Sequence, residues 1–196
     1  DKKGSILFPT DFRGLGTEGA IKMALSRLVK EGKLKRLAHG IYYVPKTDPL
    51  LGELYPSAEK IAEALAQKEK IQIKPAGAYA LNKLGLSTQV PTRLVYITNG
   101  PPRQLKIGKT TLVFKATTSK RLAMEGPISG LVIQALEELD LANMHPETEI
   151  KIRDLLLKEN PAKLKHDLGL APARLHDYIL KLLKVKDNDR MVETGG

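Results

Sequence analysis

Thr17, Lys22, Ser26, Arg27 and Lys30, followed by Lys33, Lys35, Arg36, His39 and Tyr42, are the residues whose types and spacing suit contact with a nucleic-acid duplex. A lysine ammonium neutralises phosphate as a point charge, whereas the arginine guanidinium is a planar fork that donates two hydrogen bonds to O6 and N7 of guanine. Arg27 is therefore the candidate base reader, and Lys35 and Arg36 are candidates for gripping the phosphate backbone. Arg27 also lies four residues before Glu31, where it can serve as an ordinary helix ion pair.

Other chemistries fit the sequence less well. The four histidines, His39, His145, His166 and His176, form no His-x3-His or HExxH set, and there is no cysteine, so no metal ligand set is expected. Asp187-Asn188-Asp189 has the two-carboxylate spacing that nucleotidyltransferases use to hold metal ions, but it falls in a polar terminal stretch rather than on a rigid strand. Ser129 and Gly130 fall inside an expected helix, without a Gly-x-Ser-x-Gly elbow. Gly14-x-Gly16-x-x-Gly19 spells the dinucleotide fingerprint, yet no hydrophobic strand precedes it and a hairpin follows. It reads better as a turn with Thr17 as the helix N-cap. No catalytic residue and no cofactor are expected.

The elements that must position the cationic residues can be read from periodicity. Ile21, Ala24, Leu25, Leu28 and Val29 recur at i, i+3, i+4, i+7 and i+8, which places them on one helix face. Lys22, Met23, Ser26, Arg27 and Lys30 fall on the other. Glu31-Gly32 stops the helix; Lys33, Lys35 and Arg36 then alternate with Leu34 and Leu37, and a turn at Ala38-His39-Gly40 leads into a strand, Ile41 to Val44. Phe8 to Phe12 reads as a short helix closed by Gly14-Leu15-Gly16. Short helix, turn, longer helix and basic hairpin is the order of a winged helix, which sends a helix into the major groove while its hairpin holds flanking phosphates. A complete winged helix has one more helix first, and only seven residues precede Phe8. Either Asp1 to Leu7 forms a strand or arm, or the domain begins before Asp1, the reading favoured by Asp1 not being an initiator Met.

Charge agrees with a polyanionic partner. Of the net +10, Asp1 to Lys46 carries +6, with ten Lys/Arg against four Asp/Glu. The lack of cysteine excludes disulfides and suits a reducing cytoplasm. No apolar run approaches the roughly 20 residues of a membrane span, so no membrane partner is expected. With 196 residues, 42% of them hydrophobic, the chain can bury a core and divides into a small and a larger domain. We expect a winged helix-turn-helix domain over 1–46, a linker over 47–56 marked by Pro45, Pro49, Gly52 and Pro56, an α+β domain over 57–185 and a polar tail over 186–196. In the larger domain, Ser57 caps a helix to about Lys68, Ile71 to Ile73 is a strand, and Ala76 to Leu84 a helix. Arg93 to Thr98 is a buried strand, and Gln104 to Ala116 a hairpin turning at Gly108-Lys109. Helices follow, with Pro127, Pro146, Pro161 and Pro172 near their starts. The fold class is therefore α+β with a small sheet and a helical C-terminal end.

Phe8-Pro-Thr-Asp-Phe, Ala24-Leu-Ser-Arg-Leu-Val, Gly40-Ile-Tyr-Tyr, Ala76-Gly-Ala-Tyr-Ala-Leu-Asn, Leu84-Gly-Leu-Ser-Thr-Gln-Val-Pro and Val95-Tyr-Ile-Thr-Asn-Gly, in this order, resemble the AbiEi-type antitoxins and transcriptional regulators of bacterial type IV toxin–antitoxin systems. The likeness runs from about Leu7 to Leu139. It implies a winged-helix domain that binds double-stranded operator DNA and represses its own operon, with Thr17 to Lys30 as recognition helix and Lys33 to Val44 as wing. It further implies a second domain that counters a nucleotidyltransferase toxin. Relatives of this type also occur without a toxin gene, so a stand-alone regulator remains an alternative. A protein-interaction module, an RNA-binding winged helix using Tyr42 and Tyr43 for stacking, and an enzyme acting on nucleotides are the other classes weighed.

Overall fold

The computed structural model describes residues 3–184. It is an α+β chain that divides into two compact units. One takes the described chain up to Ile71 together with Thr92–Leu94 and Arg103–Val113; the other takes Gln72–Pro91, Val95–Pro102 and what is described from Phe114 onward.

The first unit is built on a small antiparallel sheet. β1 (Ile6–Leu7) and β2 (Lys35–Ala38) flank β3 (Ile41–Tyr43), in the order β1-β3-β2. The stretch before Phe8 thus supplies a strand, with Ile6 opposite Tyr43 and Leu7 opposite Tyr42. Pro9–Phe12 is a single 3-10 turn rather than an α-helix, and Asp11 accepts a 2.7 Å hydrogen bond from the Phe8 N–H. Helix α1 (Glu18–Lys30) starts at Thr17, whose Oγ1 accepts the Ala20 N–H at 3.2 Å. It ends in a Schellman turn: Gly32 has φ +71°, and the Gly32 and Lys33 N–H groups donate to the carbonyls of Val29 and Leu28. Leu25, Leu34 and Tyr42 form the buried centre of this region, with Leu7, Phe12, Ile21, Leu28, Val29 and Val44 packed around them. The periodic apolar face of α1 is the face that packs, as the spacing predicts.

Residues 47–56 are not an irregular linker. β4 (Lys46–Asp48) and β5 (Gly52–Leu54) pair antiparallel. Asp48 Oδ1 accepts the N–H groups of Leu50 and Leu51 at 2.9 and 3.0 Å, and Gly52 has φ +75°. Asp-Pro-Leu-Leu-Gly is therefore a built turn, with Pro49 at a position that makes no demand on its missing N–H. The hairpin is tied to β2 and β3 by a 2.8 Å hydrogen bond from the Tyr43 hydroxyl to the Leu54 carbonyl, a Tyr43–Tyr55 ring stack and a 3.2 Å Lys35–Glu53 ion pair. Helix α2 (Ala58–Glu69), capped by Ser57, buries Ile61, Ala62, Leu65 and Ala66 and belongs to the same unit. The expected boundary near Pro45 to Pro56 therefore gives way to a unit that continues to Ile71.

A four-stranded sheet has the order β6-β7-β9-β8, from β6 (Ile73–Pro75), β7 (Arg93–Thr98), β8 (Arg103–Ile107) and β9 (Thr110–Ala116). The first strand lies two residues later than Ile71-Gln72-Ile73 predicts, and Pro75 is tolerated because β6 is an edge strand. In the second unit, helix α3 (Gly77–Lys83) packs on α5 (Ser129–Leu136), and α4 (Ser119–Leu122) precedes it. α6 (Pro146–Leu156), α7 (Pro161–Leu170) and α8 (Ala173–Lys184) complete the helical end, with Pro at the first position of α6 and α7. Val132, Ile133, Leu136, Ile152, Leu156, Leu175 and Ile179, all fully buried, form its core. No helix among the described residues is long and apolar enough to cross a membrane. The expected polar tail over 186–196 and the Asp187-Asn188-Asp189 triplet lie outside the described residues.

Candidate nucleic-acid interface

Packing α1 through Leu25 leaves its opposite face to solvent. Thr17, Lys22, Ser26, Arg27 and Lys30 are exposed, and so is Met23. Ala20, Met23, Ala24, Ser26, Arg27 and Lys30 together line one shallow depression on that face. The Thr17 hydroxyl is engaged as the helix cap, so its first role is structural.

The cations of this face differ in their attachments. Lys22 pairs with Glu18 at 2.6 Å and Lys33 with Glu31 at 2.9 Å. Hydrogen bonding and the charge of these lysines hold the Glu18 and Glu31 carboxyls below the ordinary carboxylate value. Arg27 reaches Glu31 only at 3.9 Å through Nε, with its side chain 74% exposed. Such surface pairs contribute little and exchange readily for phosphate. Arg27 is therefore held more loosely than Lys22, and Lys30 is exposed beside it on the same face.

The hairpin residues differ in exposure and in partners. Arg36 is exposed, and its Nη2 lies 3.1 Å from His39 Nδ1 across the turn, so these two residues are brought together. Lys35 is held by Glu53, whose hydrogen bond and negative charge raise the lysine pKa. It presents a cation bridged to β5 rather than one standing clear of the strand. Tyr42 is a correction: it is 7% exposed and packs with Leu25 and Leu34, because a three-residue strand sandwiched between β1 and β2 turns this side chain to the core. Tyr43 is buried as well, which removes both tyrosines as stacking platforms for unpaired bases.

A residue the sequence reading did not single out, Arg13, lines a cleft of about 580 Å³ with His39, Lys68 and Arg103 over a floor that includes Phe8 and Leu65. Lys68 pairs with Asp11, and Arg103 with Glu69 at 2.6 Å, so two of its cations are balanced by acids. The only hint in the sequence was the basic residue after Phe12, which carries no periodicity of its own.

The second unit holds a buried polar knot instead of an open site. Ser129 Oγ donates to Asp167 Oδ2 at 2.6 Å, and Asp167 also accepts the N–H groups of Glu125 and Gly126 at 2.7 and 2.9 Å. Glu159 Oε2 accepts the Ile128 and Ser129 N–H groups at 2.7 and 2.9 Å. Burial pushes both carboxyls up, but these donors outweigh it, and both stay below their ordinary values. Ser129, expected inside a helix, is its first residue and is wholly buried. The two carboxylates close the start of α5, where Glu159 satisfies the orphan Ile128 and Ser129 N–H groups and both complement the helix dipole. His166 lies 3.1 Å from Asp167, and His176 3.0 Å from Asp177. Among the described residues, no three His, Asp or Glu side chains gather as a metal set.

No curated protein sequence matches the chain. The pattern of the family described as "Family of unknown function (DUF6088)" matches residues 1–164, most of the chain, and the protein belongs to that family.

Proposed function

We propose that this protein is a sequence-specific DNA-binding transcriptional repressor whose first unit works as a winged helix, α1 entering the major groove and the β2–β3 hairpin lying along the backbone. The observation that carries the reading is the exposed cationic face of α1, with Arg27 outward and Leu25 anchoring the helix on the sheet. An anchored helix with an exposed basic face, on the part of the chain that holds +6 of the net +10, fits duplex DNA better than a merely solvated surface. Burial of Tyr42 and Tyr43 favours the duplex over unpaired RNA. The resemblance to AbiEi-type regulators supports autoregulation and an antitoxin role against a nucleotidyltransferase toxin. The alternative within the same reading is a stand-alone cytoplasmic regulator.

Fluorescence anisotropy on the duplex upstream of the protein's own gene tests it. If some six phosphates are neutralised, log affinity falls against log salt with a slope of about −5. Salt-independent binding, or tighter binding to single-stranded RNA, overturns the proposal. Growth rescue of cells expressing an adjacent nucleotidyltransferase gene tests the antitoxin role separately.

A further inference from the structure

Met23 stands out on α1. It is 75% exposed, in the middle of a helix whose other large apolar side chains, Ile21, Leu25, Leu28 and Val29, are turned to the core. Its neighbours on the same face are Ala20, one turn before, and Arg27, one turn after, and the three line the same depression. Around it stand Lys22, Ser26, Arg27 and Lys30. A lone methionine ringed by cations is too small a patch for a stable protein contact. Pairing with a second copy through this face would set Lys30 and Arg27 of one copy against those of the other, with Glu31 balancing Arg27 only at 3.9 Å. The major groove offers one apolar group to a probing helix, the thymine C5-methyl.

We infer that Met23 reads a thymine methyl in the operator. The inference rests on the DNA-binding reading proposed above and deepens it by assigning base preference to a residue that carries no charge. Arg27 lies four residues on, about 6 Å along the helix axis, and base pairs stack about 3.4 Å apart. The thymine therefore falls within about two base pairs of the guanine that Arg27 addresses. Met23 is unbranched and polarizable, so it can follow the methyl without a fixed pocket.

The test uses the full chain and duplexes enriched by it from a random library, with each thymine replaced singly by deoxyuridine. At one thymine, near the guanine whose loss Arg27→Ala ignores, deoxyuridine lowers wild-type affinity about fourfold, the ratio for one lost methyl contact. Met23→Ala binds the thymine and deoxyuridine duplexes equally, and Met23→Leu keeps the discrimination. Wild-type indifference to deoxyuridine at every position, or discrimination retained by Met23→Ala, overturns the inference while the enriched sequence leaves the DNA reading standing. Absence of any enriched sequence overturns the DNA reading and this inference with it. A dimer-to-monomer change on Met23→Ala, measured by light scattering, assigns the side chain to a protein contact and also overturns it.

Discussion

Arg27 and Lys22 carry the same charge on the same helix face, yet their surroundings differ. Lys22 is closed onto Glu18 at 2.6 Å, while Arg27 meets Glu31 only at 3.9 Å. Arg27→Ala should cost about 1–3 kcal/mol on an enriched duplex and much less on random DNA, with thermal stability changed by only a few tenths of a kcal/mol. Titration of both duplexes and a melting curve on the one mutant check this, and an unchanged specificity ratio removes Arg27 from the interface. Gly126 is governed by space instead. A Cβ there would overlap Ser129 Oγ and stand 2.6 and 2.8 Å from Glu159 Oε2 and Asp167 Oδ2. Those oxygens are fixed by the N–H groups they accept and cannot retreat without leaving a buried donor unpaired. Gly126→Ala should therefore destabilise by roughly 2–4 kcal/mol in urea unfolding. A loss below half a kcal/mol would mean that the knot yields more easily than its hydrogen bonds suggest.

At the scale of elements, α1 was legible because its apolar residues repeat at the helical period and its ends carry Thr17 and Gly32. The β4–β5 hairpin was not, because three prolines suggested an irregular run. The signal lay in Asp48, whose side chain accepts two N–H groups of the turn, and in Gly52. Tyr42 is hidden because β3 is covered on both faces, by Leu25 and Leu34 on one and by the β4–β5 hairpin over Tyr43 on the other, and alternation along three residues shows neither cover. The carboxylates of the knot were invisible for another reason: Asp167 and Glu159 meet Ser129 across 38 and 30 residues of chain, and each has an ordinary place in or beside a polar helix. The hairpin also changes what Lys35 can do. Glu53 competes with phosphate for its ammonium, so Lys35→Ala should weaken binding to all duplexes alike and reduce the salt slope by about one. Glu53→Gln should strengthen binding to all duplexes, because it releases the lysine and removes a negative charge. Anisotropy across salt concentrations reads both, and opposite signs of the two effects are the expected outcome.

Across the whole molecule, the cationic helix lies in one unit and the buried acids in the other, so salt should act on the first, and acid chiefly on the second, because Glu18 and Glu31, lowered carboxyls of the first, are exposed. Salt should weaken DNA binding through α1 and the hairpin. Acid should strike the start of α5. Asp167 and Glu159 titrate below their ordinary values of 3.8 and 4.5, which means that the folded state favours their charged forms. Their contribution is complete above those values and is lost as pH falls through the lower folded values. Glu137 works in the opposite sense, since burial raises its carboxyl despite the Arg121 guanidinium 2.6 Å away, and its ionisation slightly destabilises the fold as pH rises. The two donor-rich buried carboxylates, against the half-buried Glu137, give stability that steepens in its fall below about pH 4. Asp167→Asn removes one of the two contributors. An amide can still accept the Glu125 N–H at one oxygen, but its NH₂ faces the Gly126 N–H and the Ser129 hydroxyl where an acceptor is required. The variant should therefore be less stable than the wild type at pH 7, and the difference should narrow as pH falls below the ordinary carboxyl value of 3.8 toward the lower folded value. A difference that does not narrow below pH 3.8 would show that the charge of Asp167 contributes nothing and that its hydrogen-bond geometry accounts for the whole effect.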